Sequence, residues 1–546
     1  VVFIGAALLA VFWSSTADAA SRPGLVVTSV KTNLAALPNR PFYVTVTVAD
    51  RAATARKATV TVAAAAATLA TRAVTFRPRR RTTIKLPITL TTLGPAPLTV
   101  TVTGTRPRTI TVDVAEFRAR TSAVVVPSFA GYGGQFNQHV YTALSKAAGV
   151  TDANVVDMEQ KMRTLHPQFS RIFFTPQAFT DPDKMQSFIR TVQFAQSTGT
   201  DINITWQGGT LQPQQFANVL LDLVRNRGIT HLRWLTLQNE PNRTRITMEA
   251  YEKQYRDLDP LIQSIRGQVR YMGGDLVRGP DTGAPNQDAW FKYLGTHMSD
   301  ILDAYSIHVF WDYWDTQKLV DRLTEVRAIV NSLPQAARKP VYVTEYGVRG
   351  QRTFNNAPTV DPGVWDDGTP ITQTNVSAFQ HAWFDVLAAD LGYLGTSKWD
   401  SYYGKYDNST QAYYVIGAPQ NGWPLYPMYN LLQLFTTVVK RQWEVVAVDS
   451  VPNTSRLLAA YLGKKKQLTV IGLDTAGAQL NAGVPTATPY SIAGFPPSKP
   501  VNLLIWNANA DGLVAPLQTV TADANGVVNV SIFQQAVFVL TTIGLG

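Results

Sequence analysis

The chain has 546 residues, 45% of them hydrophobic and 16% charged, with no cysteine. That length accommodates about three to four domains with packed cores, and the absence of cysteine excludes disulfides, thiol nucleophiles and Cys-based metal sites. The net charge of +11 is unevenly placed: residues 21–118 hold fifteen Lys/Arg against three Asp/Glu, whereas residues 119–546 hold thirty-four of each.

Residues 1–20 open on an apolar run that ends at Trp13 and is followed by the small-residue stretch Ala17-Asp18-Ala19-Ala20. An apolar core of about a dozen residues before an Ala-x-Ala site reads as a secretory signal. It lacks an initiating Met and a basic start, so it is read as truncated. A membrane anchor would need about 20 apolar residues. An extracellular protein without a transmembrane segment is therefore expected.

Residues 21–120 are a series of short β runs, among them Phe42–Val48, Thr82–Leu86 and Leu98–Val102. Val and Thr alternate and turns recur, which predicts an immunoglobulin-like β-sandwich. Its densest charge run is Arg77-Pro78-Arg79-Arg80-Arg81. The run is read either as a surface for an anionic cell-surface polymer or as a solvated sandwich face. Nucleic acid is not expected as a partner, because Phe42, Tyr43, Phe76 and Phe117 make no base-stacking platform.

From residue 121 to 440 strand-like and helix-like runs alternate, the pattern of βα units around a parallel sheet. Eight candidate strands follow one another: Ala123–Pro127, Phe169–Phe174, Asp201–Trp206, a fourth ending at Glu240, Val269–Asp275, Ala304–Trp311, a seventh ending at Glu345, and Thr396–Asp400. Eight units in this length predict a (β/α)8 TIM barrel with its active site at the C-terminal ends of the strands. Residues 441–546 return to β runs, and a second β-sandwich packed on the barrel is expected.

Two stretches carry the chemistry. Leu237-Gln238-Asn239-Glu240-Pro241-Asn242 follows the apolar run Leu232–Thr236, and Val341-Tyr342-Val343-Thr344-Glu345-Tyr346-Gly347 repeats the plan. Each places a glutamate at the end of a strand, with a turn former behind it. Two such carboxylates are what a retaining glycosidase needs. With this order and spacing the sequence resembles clan A of the glycoside hydrolases, over residues 121–440, and is similar in flavour to families 39 and 5. The resemblance implies a β-linked poly- or oligosaccharide substrate, Glu240 as general acid/base with a raised pKa, and Glu345 as nucleophile.

The same resemblance assigns supporting residues. It matches Asn239 to a contact with the sugar 2-hydroxyl, Arg171 to a cation that keeps Glu345 ionised, His308 to a neighbour of the nucleophile, and Trp399 to a sugar platform. Phe310 departs from the clan's pattern, which often has Tyr there; Tyr313 is one candidate to replace that contact. The aromatics Trp206, Trp311, Trp365, Trp399 and Trp423, spread over strand ends and loops, suggest several sugar subsites and endo-acting cleavage. Neither a metal nor another cofactor is expected, since the six histidines are scattered without ligand spacing. Exo-acting cleavage, transglycosylation at the same site and a non-catalytic carbohydrate-binding barrel remain the alternatives.

Overall fold

The computed structural model describes residues 24–545 except 33–34, 66, 245, 279–285, 406–411, 453, 478–485 and 509–513; the signal-like residues 1–20 lie outside these. The chain divides into two compact units at the Val114/Ala115 boundary. The first holds a three-stranded and a five-stranded sheet. Alternate residues of their strands point inward; Val44, Val46 and Val48 of one sheet and Val60, Val62, Val100 and Val102 of the other share a single apolar core.

The second unit contains eight parallel strands, here β1 (Gly131–Gly134), β2 (Phe169–Phe174), β3 (Asp201–Trp206), β4 (Leu232–Thr236), β5 (Arg270–Leu276), β6 (Ala304–Asp312), β7 (Val341–Arg349) and β8 (Gly395–Lys398). Neighbours run from β2 through β7 in order, then β8, then β1. β1 reaches β2 through Gln168 N to Tyr132 O (2.9 Å) and Phe136 N to Arg171 O (3.1 Å). This arrangement, with helices between the strands, fits a (β/α)8 barrel.

The first strand is not the Val-rich run Ala123–Pro127 but the glycine-rich Gly131–Gly134. Packing explains the exchange: a Cβ at Gly133 would lie 1.9 Å from the Phe169 carbonyl oxygen, so closure at this seam requires glycine. The Val-rich run belongs to Phe117–Val126, which pairs antiparallel with Glu444–Ser450 and parallel with Ala487–Ala493. It crosses the 120/121 boundary drawn from the sequence and joins a nine-stranded sheet otherwise made by residues after the barrel. One apolar cluster unites barrel and sheet, including Phe129, Tyr132, Phe435, Tyr461, Ile471 and Val537, and the Tyr132 and Tyr461 hydroxyls bond to each other. No helix among the described residues is long and apolar enough to cross a membrane.

Candidate active site

Strand alternation sends every second side chain into the barrel, and two irregularities modify it at the C-terminal end. On β7, Tyr342 and Thr344 face inward, so strict alternation would turn Glu345 outward. The pairing shifts between Ile307 opposite Val343 and His308 opposite Glu345. That bulge brings Thr344 and Glu345 to the same side, a common way of re-aiming a side chain beside a site. On β5 the register shifts between Gly273 and Leu276, with Gly274 at φ +130° and Asp275 at φ +52°. Asp275 is thereby turned into the barrel, where a Cβ on Gly274 would strike the Ser306 carbonyl oxygen at 2.3 Å.

The re-aimed carboxylates meet Arg171 of β2, which is fully buried. Its Nη2 donates to Glu345 Oε2. Its Nη1 donates to Asn239 Oδ1 (3.1 Å) and Asp275 Oδ2 (3.3 Å), and its Nε to Gln135 Oε1 (3.0 Å). The guanidinium also lies 4.2 Å over the Phe173 ring. Asp275 accepts from the Ser306 and Thr344 hydroxyls at 2.7 and 2.5 Å. Burial would raise its pKa, but His308, Arg171 and the Thr344 hydroxyl outweigh burial and hold it well below the usual carboxylate range.

Glu240 lies beyond the end of β4, at φ +47°, on a turn whose Pro241 opens the short helix Pro241–Thr244. Proline suits that first helical position. Asn242 fastens the turn to the end of β5, donating to Val277 O (2.8 Å) and accepting from Val277 N (3.2 Å). Glu240 Oε1 is 3.1 Å from His308 Nδ1, and Oε2 accepts from Arg243 Nη1 at 2.9 Å. Burial pushes the Glu240 pKa up, but His308 and Arg243 prevail and bring it down to about 2. The expectation was a raised value; with no sugar bound, the neighbouring His308 and Arg243 outweigh burial.

His308 is buried, which disfavours its charged form, yet the Glu345 and Asp275 carboxylates push its pKa up to about 9. Arg171 Nη1 lies 2.7 Å from His308 Nε2, a contact that on its own would suit a neutral ring. The three carboxylates around the ring, Glu240, Asp275 and Glu345, favour the imidazolium instead. Its Nδ1 then faces Glu240, and its Nε2 faces Asp275 Oδ2 at 3.5 Å. One ligand atom each of Glu240, His308 and Glu345 lies within 4.8 Å of the others. The trio could ligate a cation, but Arg171 and Arg243 already place positive charge on both glutamates.

These groups line a cavity of about 460 Å³ at the C-terminal end of the strands, walled by Phe173, Phe310, Trp399 and Tyr413. No family model matches the chain, and no curated protein matches it. Solved structures do. A GH30 endoxylanase from Clostridium papyrosolvens C71 aligns at 11% identity, 78% of this chain and 99% of that one, with a TM-score of 0.53. An endo-β1,6-glucanase aligns at 8% identity, 90% of this chain and 100% of that one, TM-score 0.55. A family 51 α-L-arabinofuranosidase from Bifidobacterium longum aligns at 10% identity, 79% and 100% coverage, TM-score 0.50. The chain shares their fold. Two of these neighbours belong to families 30 and 51, whereas the motifs pointed to families 39 and 5.

Within that fold the cavity gathers Glu240, Glu345, Asn239, His308 and Trp399, with Arg171 directly beneath. It does not gather three further residues assigned to substrate. Trp206 is the outward residue of β3, fully buried against Phe174, Phe179 and Phe216. Trp311 is the outward neighbour of Phe310; it stacks on Phe384 at 5.2 Å and donates to Gln380 Oε1 at 2.9 Å. Tyr313 lies past β6, where its hydroxyl bonds Asp366 and Gln351 instead of Glu345. Alternation is the cause: Phe310 takes the inward position, and its neighbours turn to the helices and loops. Trp423 is buried and Trp365 packs on the core, so Trp399 alone of the five tryptophans borders the cavity.

Sequence reasoning missed Asp275, Gln135, Phe173 and Arg243. Gly273-Gly274-Asp275 did carry a signal, since paired glycines before a carboxylate in a strand mark a bulge. Lys398 and Asp400, the charged neighbours of Trp399, were another. Burial brings Lys398 down to about 7 and Asp400 up to about 8. Lys398 Nζ donates to the Trp399 and Tyr413 carbonyls, and Asp400 accepts from Asn137 Nδ2 at 3.0 Å. Together they fix the indole at the cavity wall.

Proposed function

We propose that this protein is a retaining glycoside hydrolase that cleaves a β-linked poly- or oligosaccharide by double displacement. The observation that carries the reading is the convergence of Glu240 and Glu345 in one cavity, with ligand atoms within 4.8 Å. Retaining pairs stand about 5–5.5 Å apart, whereas inverting pairs leave room for a water. Glu345, bound by Arg171, is the nucleophile and forms a glycosyl ester. Glu240 protonates the leaving oxygen and then deprotonates water.

To act as an acid Glu240 must gain a proton, which its ion pair with Arg243 opposes. The Arg243 side chain is 60% exposed, so an entering sugar can displace it and leave Glu240 desolvated. Asn239, held by Arg171, is positioned for the sugar 2-hydroxyl, and Trp399 offers a stacking face. Endo cleavage draws support from the endoxylanase and endo-β1,6-glucanase neighbours rather than from the buried tryptophans. Export is supported by the signal-like residues 1–20. For the first unit, the immunoglobulin-like sandwich reading is supported by its two-sheet core, and that of an anionic-polymer surface by the exposed Arg77, Arg79, Arg80 and Arg81. The strands after the barrel, with their own apolar core, support a second sandwich.

The test is chemical rescue. Glu345→Gly should lose turnover on a β-linked polysaccharide or aryl glycoside that the native enzyme cleaves, and azide should restore it as a glycosyl azide of inverted configuration. Native rates in that variant would end the proposal.

A further inference from the structure

The cavity is unusually rich in cations for one that binds a neutral sugar. Arg243, Arg278, Lys318, Arg322, Arg349 and Arg352 line it, against Glu240, Glu345 and Asp361. Most of this charge is matched. Arg243 pairs with Glu240, Lys318 with Asp312 at 2.8 Å, Arg278 with Glu325 at 3.6 Å, and Arg352 with Asp361. Arg322 donates to the Leu276 carbonyl, and Glu345 is answered by Arg171 from below.

Arg349 differs. Among the described residues it makes no ion pair. Its guanidinium lies 4.8 Å over the Phe310 ring and, with Arg352, faces the Tyr413 hydroxyl. Its Nε is buried without a hydrogen-bond partner. Buried donors are almost always satisfied, and an orphan on a charged group calls for an explanation.

Its place in the fold supplies one. Beyond the bulge, β7 alternates again, so Glu345, Gly347 and Arg349 share the inward face. Four residues of strand separate the two charged Cα atoms by about 13 Å, which a long arginine side chain shortens. Between them Gly347 lets the Phe310 and Tyr413 rings close on the strand, since a Cβ there would meet them at 3.1 and 3.3 Å. One strand thus offers a carboxylate and, a short way along the same cavity, an arginine fork that has no carboxylate partner among the described residues. The planar guanidinium suits a carboxylate, which it can bind through two parallel hydrogen bonds.

We propose that the sugar bound in this cavity carries a carboxylate, as a uronic-acid residue does, and that Arg349 is the residue that receives it, with Arg352 alongside. This rests on the glycoside hydrolase reading above.

The experiment compares β-linked glucuronic-acid-containing polysaccharides, and 4-nitrophenyl β-D-glucuronide, with partners lacking the charge: the same polymers after carboxyl reduction, and 4-nitrophenyl β-D-glucoside. For the full-length enzyme, kcat/KM on the carboxylated member of a pair should exceed that on its neutral partner by about 10- to 100-fold. Arg349→Gln should erase the difference, chiefly through a higher KM for the carboxylated member. Arg349→Lys should restore part of it, and salt should raise KM for the carboxylated member only. Equal or faster cleavage of the neutral member, still dependent on Glu345, would overturn the uronic-acid proposal and leave the glycosidase reading standing. No cleavage of any member by the native enzyme would remove that reading, and this one with it.

Discussion

The two ends of the barrel interior are built on the same strands and differ in almost everything else. At the N-terminal end Phe169, Trp234, Met272, Ala304 and Tyr342 close the barrel with an apolar cluster. Two to four residues further along the strands stand Arg171, Asp275, His308 and Glu345, all buried. The lower layer needs no partner beyond contact. Each charge of the upper layer must be answered by another, since breaking a buried pair costs about 3–5 kcal/mol. Stability and reactivity are thus separated by less than two turns of the pleat, as expected of a fold whose chemistry sits at the strand ends.

The largest effect should come from the upper layer. Glu345→Gln should lower kcat by about 10⁴-fold or more, and it also leaves the buried Arg171 without its carboxylate partner, at a cost in stability. Trp234→Ala should cost stability alone. It removes an indole packed 5.2 Å from Tyr342 and should cost about 3–5 kcal/mol in denaturant unfolding, with kcat within a few-fold of native. Similar activity losses in both variants would erase the division.

A smaller effect should appear in the pH dependence of stability. His308 has a folded pKa of about 9, above its ordinary 6.5. Its contribution is full below about pH 6.5 and is lost as the pH rises through 9. Glu240, lowered to about 2 from 4.5, contributes above about pH 4.5 and loses its contribution as the pH falls toward 2. In denaturation midpoints measured across pH, His308→Gln should abolish the decline between pH 6.5 and 9. A decline that persists in this variant would show that His308 does not carry it.

The smallest effect separates the tryptophans. Trp399→Ala should raise KM about 10-fold, as loss of a stacking face would. Trp311→Phe, a core change on the outward side of β6, should leave KM unchanged and cost about 1 kcal/mol of stability.

Much of this contrast was legible in the sequence. The apolar runs Phe169–Phe174, Asp201–Trp206 and Ala304–Trp311 stand as strands, and the two strand-end glutamates, distant in the chain, share one cavity. Three features were not legible, each for a physical reason. β1 is short and glycine-rich because the closing seam has no room for Cβ, so it lacked any β propensity to read. The bulges at Asp275 and Thr344 reverse alternation locally, which a period-two pattern cannot reveal. Trp206 and Trp311 sit at strand ends where inward and outward positions differ by one residue, and tryptophan suits either. The upper network was visible only in fragments, since its charges come from four separated strands and the turn after a fifth.

Whether Glu240 and Glu345 act as a retaining pair is decided by following the first minutes of hydrolysis of a β-linked substrate by proton NMR, before mutarotation mixes the anomers. The β-anomer should be the first-formed product. If the α-anomer forms first, the two carboxylates act by a single inverting displacement and not as a retaining pair.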